Sequence, residues 1–285
     1  MVVCINYADA KFQDSRSFNT KTAYEKGKAD KVIEYSLKDI DDLFKEKNKS
    51  ILSYKRGVGL WLWKPHIIQK TLQLVSEGDF VVYSDAGTYF VNNISCLTDV
   101  MQADNNDVMV FELPLLERQF TKKETFVLMD QHNYNLNQIL ASYLVFRKSA
   151  YSVDFVNEWL SFACDERIIS FNKFLPDVEE FPDFISHRED QSILSVLCHK
   201  KGINPYRDPS QYGDRPWEYA NKMYKYRPHV FSNSPYPRIL VSTRNLDPIK
   251  FGRKEMIKTI CNKLGLFTES FYFKKNRIPV CNKIQ

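Results

Sequence analysis

The sequence predicts an α/β fold: a mostly parallel central sheet flanked by helices and followed by a basic C-terminal extension. Three observations point there. Short, continuous apolar runs bounded by glycine or polar residues, such as Phe80–Ser84 between Gly78 and Gly87, have the length and composition of strands buried on both faces. These runs alternate with segments of helical periodicity, the order that builds a layered α/β domain. With 285 residues, 44% of them hydrophobic, the chain can fill one full core, as one large domain or one domain with an appended subdomain. It has no internal repeat and no low-complexity tract, which excludes solenoids and long flexible linkers.

Val2–Tyr7 reads as the first strand and Lys31–Tyr35 as the second, with a short helix expected at residues 22–28 in the polar stretch between them. Residues 39–47 read as a helix and residues 65–76 as a stronger one. Pro65 suits a first helical turn, where a missing N–H costs nothing, and Ile67, Ile68, Thr71, Leu72 and Val75 share one face. Phe80–Ser84 then forms a central strand, and residues 107–111 and 139–146 are further strands. Ser186 and Glu189 match an S-x-x-E capping box ahead of Ile193, Leu194 and Leu197 at helical spacing, which predicts a helix start there.

The net charge of +5 is unevenly spread. Residues 215–285 hold 15 Lys/Arg against 4 Asp/Glu, which leaves 25 against 31 in residues 1–214. The expected division is therefore residues 1–214, carrying the chemistry, and a basic segment 215–285 packed on the same domain. A basic segment interleaved with Trp, Tyr and Phe attracts phosphates or an anionic membrane surface, or is a plain solvated face. The N-terminus lacks a basic signal region, and no stretch reaches the ~20 apolar residues that span a bilayer, so a cytoplasmic protein, peripheral on a membrane at most, is expected. The six cysteines have no CxxC or Cys/His ligand spacing; they read as buried free thiols and not as a zinc site or a disulfide framework.

Asp85 ends an apolar strand and precedes two small residues. Taken alone it is either a turn residue bonding its own backbone or a ligand contact, because ligands of open α/β sheets bind at the carboxyl ends of strands. Trp61 and Trp63 are two apart and share one face of an extended segment, serving core packing or stacking on a ligand. Lys64 is either a solvated lysine beside them or a cation at a helix start, where an anion would sit. Glu189 has a sufficient capping role, but Asp190 has none; one turn into a helix facing a cleft, it is placed to take a proton from a hydroxyl. His187 is a hydrogen-bond partner or a structural histidine, and Arg118 and Lys122 are surface charges unless turned inward.

The run Gly57-x-Gly59-x-Trp61-x-Trp63-Lys64-Pro65, followed by Tyr83-x-Asp85-Ala86-Gly87 and later by His187-Arg188-x-Asp190-Gln191-Ser192, resembles capsular-polysaccharide and lipopolysaccharide glycosyltransferases of the GT-A fold. The resemblance implies a GT-A-like, Rossmann-like domain over residues 1–214. It implies transfer of a hexosyl or pentosyl unit from a nucleoside-diphosphate sugar, a UDP-sugar by preference, to a hydroxyl of a glycan or glycolipid, with inversion favoured. Asp85 is then the DxD-like carboxylate that holds a divalent cation, Mn²⁺ or Mg²⁺. Gly87 stands where a second carboxylate would be, so Asp85 and the diphosphate share the ion or a cationic side chain does its work. Donor contacts are implied at Asp85, Gly87, Lys64 and Trp63, and further at Tyr83, Ser142, His187 and Gln191; the acceptor side is implied at Gln138 and Lys122. Asp190 is implied as the catalytic residue, a base in inverting enzymes and a donor-sugar contact in others. The basic run from Arg238 to Arg244 is a further source of a cation for the diphosphate. Two other classes remain: a catalytically silent relative that binds nucleotide sugars or glycans, and a basic binder of anionic surfaces or, less fittingly, of nucleic acid.

Overall fold

β-Branched and aromatic residues fill the strands of a six-stranded sheet, ordered β2-β1-β3-β6-β5-β7. The strands are β1 (Val2–Tyr7), β2 (Lys31–Tyr35), β3 (Phe80–Ser84), β5 (Val108–Leu116), β6 (Asn137–Arg147) and β7 (Tyr206–Arg207); β4 (Thr88–Phe90) and β8 (Leu240–Ser242) form a separate antiparallel pair. The computed structural model describes residues 1–243 and 247–284. In the main sheet β6 runs against both its neighbours, and the other five strands share one direction. The predicted class, a mostly parallel sheet between helices, is the one observed.

Alternation along the strands feeds two apolar layers. Val3, Ile5, Val81 and Tyr83 face α2 (Trp63–Leu74), α4 (Ala150–Ala163) and α5 (Glu189–Lys200). Cys4, Phe80 and Val82 face the opposite layer, which takes in Ala23 of α1 (Gln13–Glu25) and Leu97 and Met101 of α3 (Ser95–Ala103). Along β6 the alternation slips: Ile139 and Ala141 join the first layer, and so do Leu144 and Phe146. The register with β5 shifts at the same place, between Met109 and Phe111. Such a bulge re-aims the side chains around it, and here it lies at Ser142, next to the end of β3.

Three sequence expectations shift. The first helix is 13 residues long, not a short turn at 22–28, because its buried face is Asn19, Thr22 and Ala23 and carries no apolar periodicity. The helix expected at 39–47 is split into a 3₁₀ turn, Leu37–Asp39, and a helix, Asp42–Lys47. The capping box at Ser186 does not form: α5 starts at Glu189, because the Ser186 and Arg188 N–H groups are spent on the carbonyls of Gln119 and Phe120. Cysteine burial is also mixed; Cys4 and Cys198 are buried, whereas Cys281 is exposed.

The chain beyond residue 214 returns to the body. β8 pairs with β4, and Tyr226 bridges Leu115 and Lys283. Two helices follow, α6 (Pro248–Lys263) and α7 (Glu269–Asn276), and Phe273 packs with Tyr226 and Ile278. Among the described residues no helix is long and apolar enough to cross a membrane.

A buried polar network fixes the sheet ends. Asn6 of β1 donates to Asn19 Oδ1 at 2.8 Å, and Asn19 donates to Ser84 Oγ and to Thr88 at 3.0 and 3.1 Å. Thr88 in turn donates to the Asp85 carbonyl, so α1 holds the turn that carries Asp85. Asn19→Ala leaves several buried polar groups without partners and is expected to lower stability by about 2 kcal/mol, measured as a shift in the urea unfolding midpoint.

Candidate active site

A cleft of about 1080 Å³ opens where β1 and β3 end and β6 bulges, and it is closed on its far side by residues 212–224 and by Tyr272. At its floor lies Lys64. Its ammonium group is 2.7 Å from Asp190, 3.8 Å from Asp85 and 3.2 Å from the Ala141 carbonyl, with the Tyr83 ring beneath it. Lys64 and Asp190 are both about 95% shielded from water, whereas the Asp85 side chain is 39% exposed and faces the opening. The Tyr83 hydroxyl donates to Asp85 at 2.6 Å.

Burial alone would discharge Lys64, but the Asp190 and Asp85 carboxylates outweigh it and hold the ammonium above the usual lysine range. Burial pushes Asp190 up to about 6; Asp85 adds to the rise and Lys64 opposes it. Burial, followed by the Asp85 charge, raises the Tyr83 phenol as well, so it stays protonated and remains a donor.

The chain reaches Lys64 through an unusual segment. Gly57, Val58, Gly59, Leu60 and Trp61 all have positive φ, and N–H groups of Leu60 and Trp61 bond carbonyls four residues back, so these residues form one left-handed helical turn. Three are not glycine, and each costs about 1–2 kcal/mol in that conformation. Leu60 is wholly buried, and the Trp63 indole N–H bonds the Gly57 carbonyl, which offsets part of that cost. Both glycines are required: a Cβ on Gly57 would run into the Trp61 ring, and one on Gly59 would lie 2.6 Å from Leu52. Trp61 and Trp63 therefore do not share a face of an extended segment. Trp63 stacks on Tyr7 at 3.8 Å, Arg56 lies over Trp61, and both indoles line the cleft.

Asp190 is presented from the first turn of α5, where the buried Trp159 indole donates to its carbonyl. Glu189 beside it has φ +38 and pairs with Arg56 across the cleft mouth. Gln191 accepts from the Ala141 N–H at 3.2 Å and donates to Gln138 at 2.8 Å, tying α5 to the bulge in β6.

The structure brings together Asp85, Gly87, Lys64, Trp63, Tyr83, Ser142, Asp190 and Gln191 as cleft lining. It does not bring Gln138, Lys122 or His187 there. Gln138 is buried one layer behind Gln191, where its amide oxygen accepts from Arg188 and Gln191. Lys122 is buried against Glu124 at 3.2 Å and the Asn172 carbonyl. His187 accepts from the Lys122 N–H, and burial, reinforced by the Lys122 charge, pushes it down to about 3, so it is a neutral structural imidazole. Arg118 is engaged by Asp183, and Arg238 by Asp214 and Thr259; neither lines the cleft, and Arg244 lies outside the described residues. Sequence reasoning missed Arg56 and the far wall of Tyr212, Glu218, Tyr219 and Tyr272. Only Arg56 had a signal, as a cation preceding the Gly-x-Gly run.

No protein-family model matches the chain, and no curated protein matches it. Solved structures do. The chain is similar to the apo form of mouse xyloside xylosyltransferase 1, at 10% identity over 85% of this chain and 97% of that one, with a TM-score of 0.46. It is similar to the apo structure of the bifunctional glycosyltransferase WbbM, at 11% identity over 86% of this chain and 45% of that one, TM-score 0.46. It is also similar to the galactosyltransferase LgtC in complex with donor and acceptor sugar analogues, at 15% identity over 86% of this chain and 87% of that one, TM-score 0.40.

Lys64→Met strands a buried carboxylate. At neutral pH the loss of stability is expected to be about 3–5 kcal/mol. Without its cation Asp190 titrates still further above its unfolded value, so the penalty is full above the folded pKa, shrinks as pH falls below it, and vanishes only well below the unfolded value of about 3.9, where the carboxyl is neutral folded and unfolded. Denaturant titrations of both proteins across that range check the size and the direction.

Proposed function

We propose that this chain is a glycosyltransferase that moves a monosaccharide from a nucleoside-diphosphate sugar, with a UDP-sugar the favoured donor, to a hydroxyl of a glycan acceptor. The observation that carries the reading is Lys64: one desolvated ammonium shared by two carboxylates at the strand ends of a cleft large enough for a nucleotide sugar. A fixed cation shielded from water stabilises charge that develops on a departing diphosphate far better than a solvated lysine does. The sequence pattern around Trp61 to Pro65, Asp85 and Asp190 supports the same reading.

Asp190 is the base in this scheme. Raised to about 6, it is ionised at neutral pH yet still takes a proton well. The acceptor oxygen forms a bond to the anomeric carbon, its proton passes to Asp190, and the bond from that carbon to the diphosphate oxygen breaks with its electron pair leaving on the diphosphate. Inversion requires Asp190 and the diphosphate on opposite faces of the sugar, whereas direct contact of Lys64 with both would place them on the same face and favour retention. Tyr83 holds Asp85 towards the donor, and the stacked Tyr7 and Trp63 rings form the apolar wall beside it.

The residues present do not fit a divalent cation held by the protein alone. Asp85 is a single carboxylate with a lysine ammonium 3.8 Å away, Gly87 replaces the second carboxylate, and among the described residues no three His, Cys, Asp or Glu side chains come together as a metal site. The charge stabilisation is therefore assigned to Lys64, with Arg56 at the cleft mouth.

Calorimetry and thermal shift with UDP, GDP, CDP and dTDP sugars, each with and without Mn²⁺, test the donor site. Stabilisation by one nucleotide class is expected, and no response to any of them overturns the reading. Asp190→Asn is expected to retain donor binding and to lose transfer by at least ~100-fold. In the unsubstituted enzyme the base must be deprotonated, so kcat should fall as pH drops below about 6; a flat profile through that range would remove Asp190 from the role.

A further inference from the structure

Helix α6 is amphipathic the wrong way round for a helix packed on a core. Its inward face is polar: buried Glu255 pairs with Arg215 and Lys258, Thr259 accepts from Arg215 and Arg238, and Gly252 lies against the Tyr89 hydroxyl. Its outward face carries Ile249, Met256, Ile257, Ile260 and Leu264, each between 50% and 67% exposed. At helical spacing these five fall in a stripe about 100° wide. Leu266, just past the helix end, extends the apolar surface. A folded chain does not ordinarily leave such a stripe in water.

Charge identifies the occupant. Exposed Arg253 lies within the stripe, exposed Lys250 and Lys254 border one side of it, and exposed Lys263 borders the other. Residues 247–284 carry nine Lys/Arg against three Asp/Glu. Two of those acids, Glu255 and Glu269, are engaged by Arg215 and Lys283. A second copy of the same basic face would meet repulsion, whereas an anionic surface with an apolar interior matches both the cations and the stripe.

We propose that α6 lies flat on an anionic lipid bilayer, with its isoleucines and Met256 sunk to the acyl boundary and its lysines and Arg253 at the headgroups. The face is fastened to the cleft wall. Lys258 of α6 bonds Glu218 at 2.5 Å, the Tyr272 hydroxyl donates to the Glu218 carbonyl, and Glu218 and Tyr272 both line the cleft. Docking therefore holds the cleft at a set position relative to the surface, whatever reaction the cleft performs.

Sedimentation of the full chain with phosphatidylcholine vesicles, with and without a minority of phosphatidylglycerol, tests the proposal. Binding is expected only with the anionic lipid and should weaken as salt rises. Ile257→Glu with Ile260→Glu should abolish it, and neutralising Lys250, Arg253 and Lys254 to Gln should weaken it roughly fivefold per cation. All five positions are exposed, so an unchanged unfolding temperature shows that the variants are folded. Absence of binding by the unsubstituted chain overturns the proposal. So does equal binding to neutral and anionic vesicles, and so does a dimer in light scattering that the double Glu variant dissociates without any vesicle binding. None of these readouts depends on sugar transfer, so failure here is distinguishable from failure of the proposed reaction.

Discussion

Everything around the cleft is arranged so that one lysine can stay charged out of water. An ammonium buried as deeply as Lys64 loses most of its hydration, and a single carboxylate seldom offsets that loss. Here three acceptors converge from three elements: Asp190 from the start of α5, Asp85 from the turn after β3, and the Ala141 carbonyl from the β6 bulge. Each acceptor is itself held. Trp159 bonds the Asp190 carbonyl, the Ser142 carbonyl accepts from the Asp85 N–H, and Gln191 accepts from the Ala141 N–H. A hydrophobic trio at these positions would stabilise the fold as well or better. Retention of the charges is therefore a property of the site and not of the core.

The same constraint accounts for the left-handed turn. A right-handed connection would bring the chain into α2 from another direction; the run of positive φ values turns it sharply enough that Trp63 stacks on Tyr7 while Lys64, the next residue, points to the cleft floor. Strain of this kind persists only where the surroundings over-determine it. The fully buried Leu60, the indole bond to Gly57 and the crowded Cβ positions of two glycines supply that determination. Glu189, also at positive φ, lies across the cleft mouth and is reached by Arg56, the residue that begins the turn. The two strained segments thus face one another and share an ion pair.

Legibility in the sequence followed burial chemistry. Strands β1, β2 and β3 were readable because apolar runs leave a direct trace, and α2 was readable from its apolar face and Pro65. Helix α1 was shortened because its buried residues include Asn19 and Thr22, polar groups that pack by hydrogen bonding to Asn6 and Ser84 and leave no hydrophobic period. Asp85, Lys64 and Asp190 were placed together by the resemblance of the motifs that carry them, and in the structure a strand end and two helix starts bring them to one cleft. Lys122, Gln138 and His187 could not be told from cleft residues by type alone. What separates them is partnership: Glu124 for Lys122, Arg188 and Gln191 for Gln138, and the Lys122 N–H for His187. The capping-box pattern misled for a related reason, since a helix start depends on where the preceding N–H groups are spent, and tertiary contacts with Gln119 and Phe120 claimed them.

The role of base proposed for Asp190 rests on its depth. A carboxylate that only neutralised Lys64 would do so as well at the surface of the cleft, where water would keep its pKa in the ordinary range. Asp190 is instead buried, and burial together with Asp85 raises its proton affinity until Lys64 checks the rise at about 6. Remove the lysine and burial would raise its proton affinity further, towards a group that keeps its proton; remove the burial and it would be ionised but a poor acceptor. The pairing sets both conditions at once. Asp85 completes the balance from the other side: it lies on the same ammonium at a longer distance, raises Asp190 through its own charge, and remains the more exposed of the two carboxylates. In the proposed reaction, two acids that share one cation take different tasks according to their depth, the deeper one proton transfer and the shallower one contact with the donor.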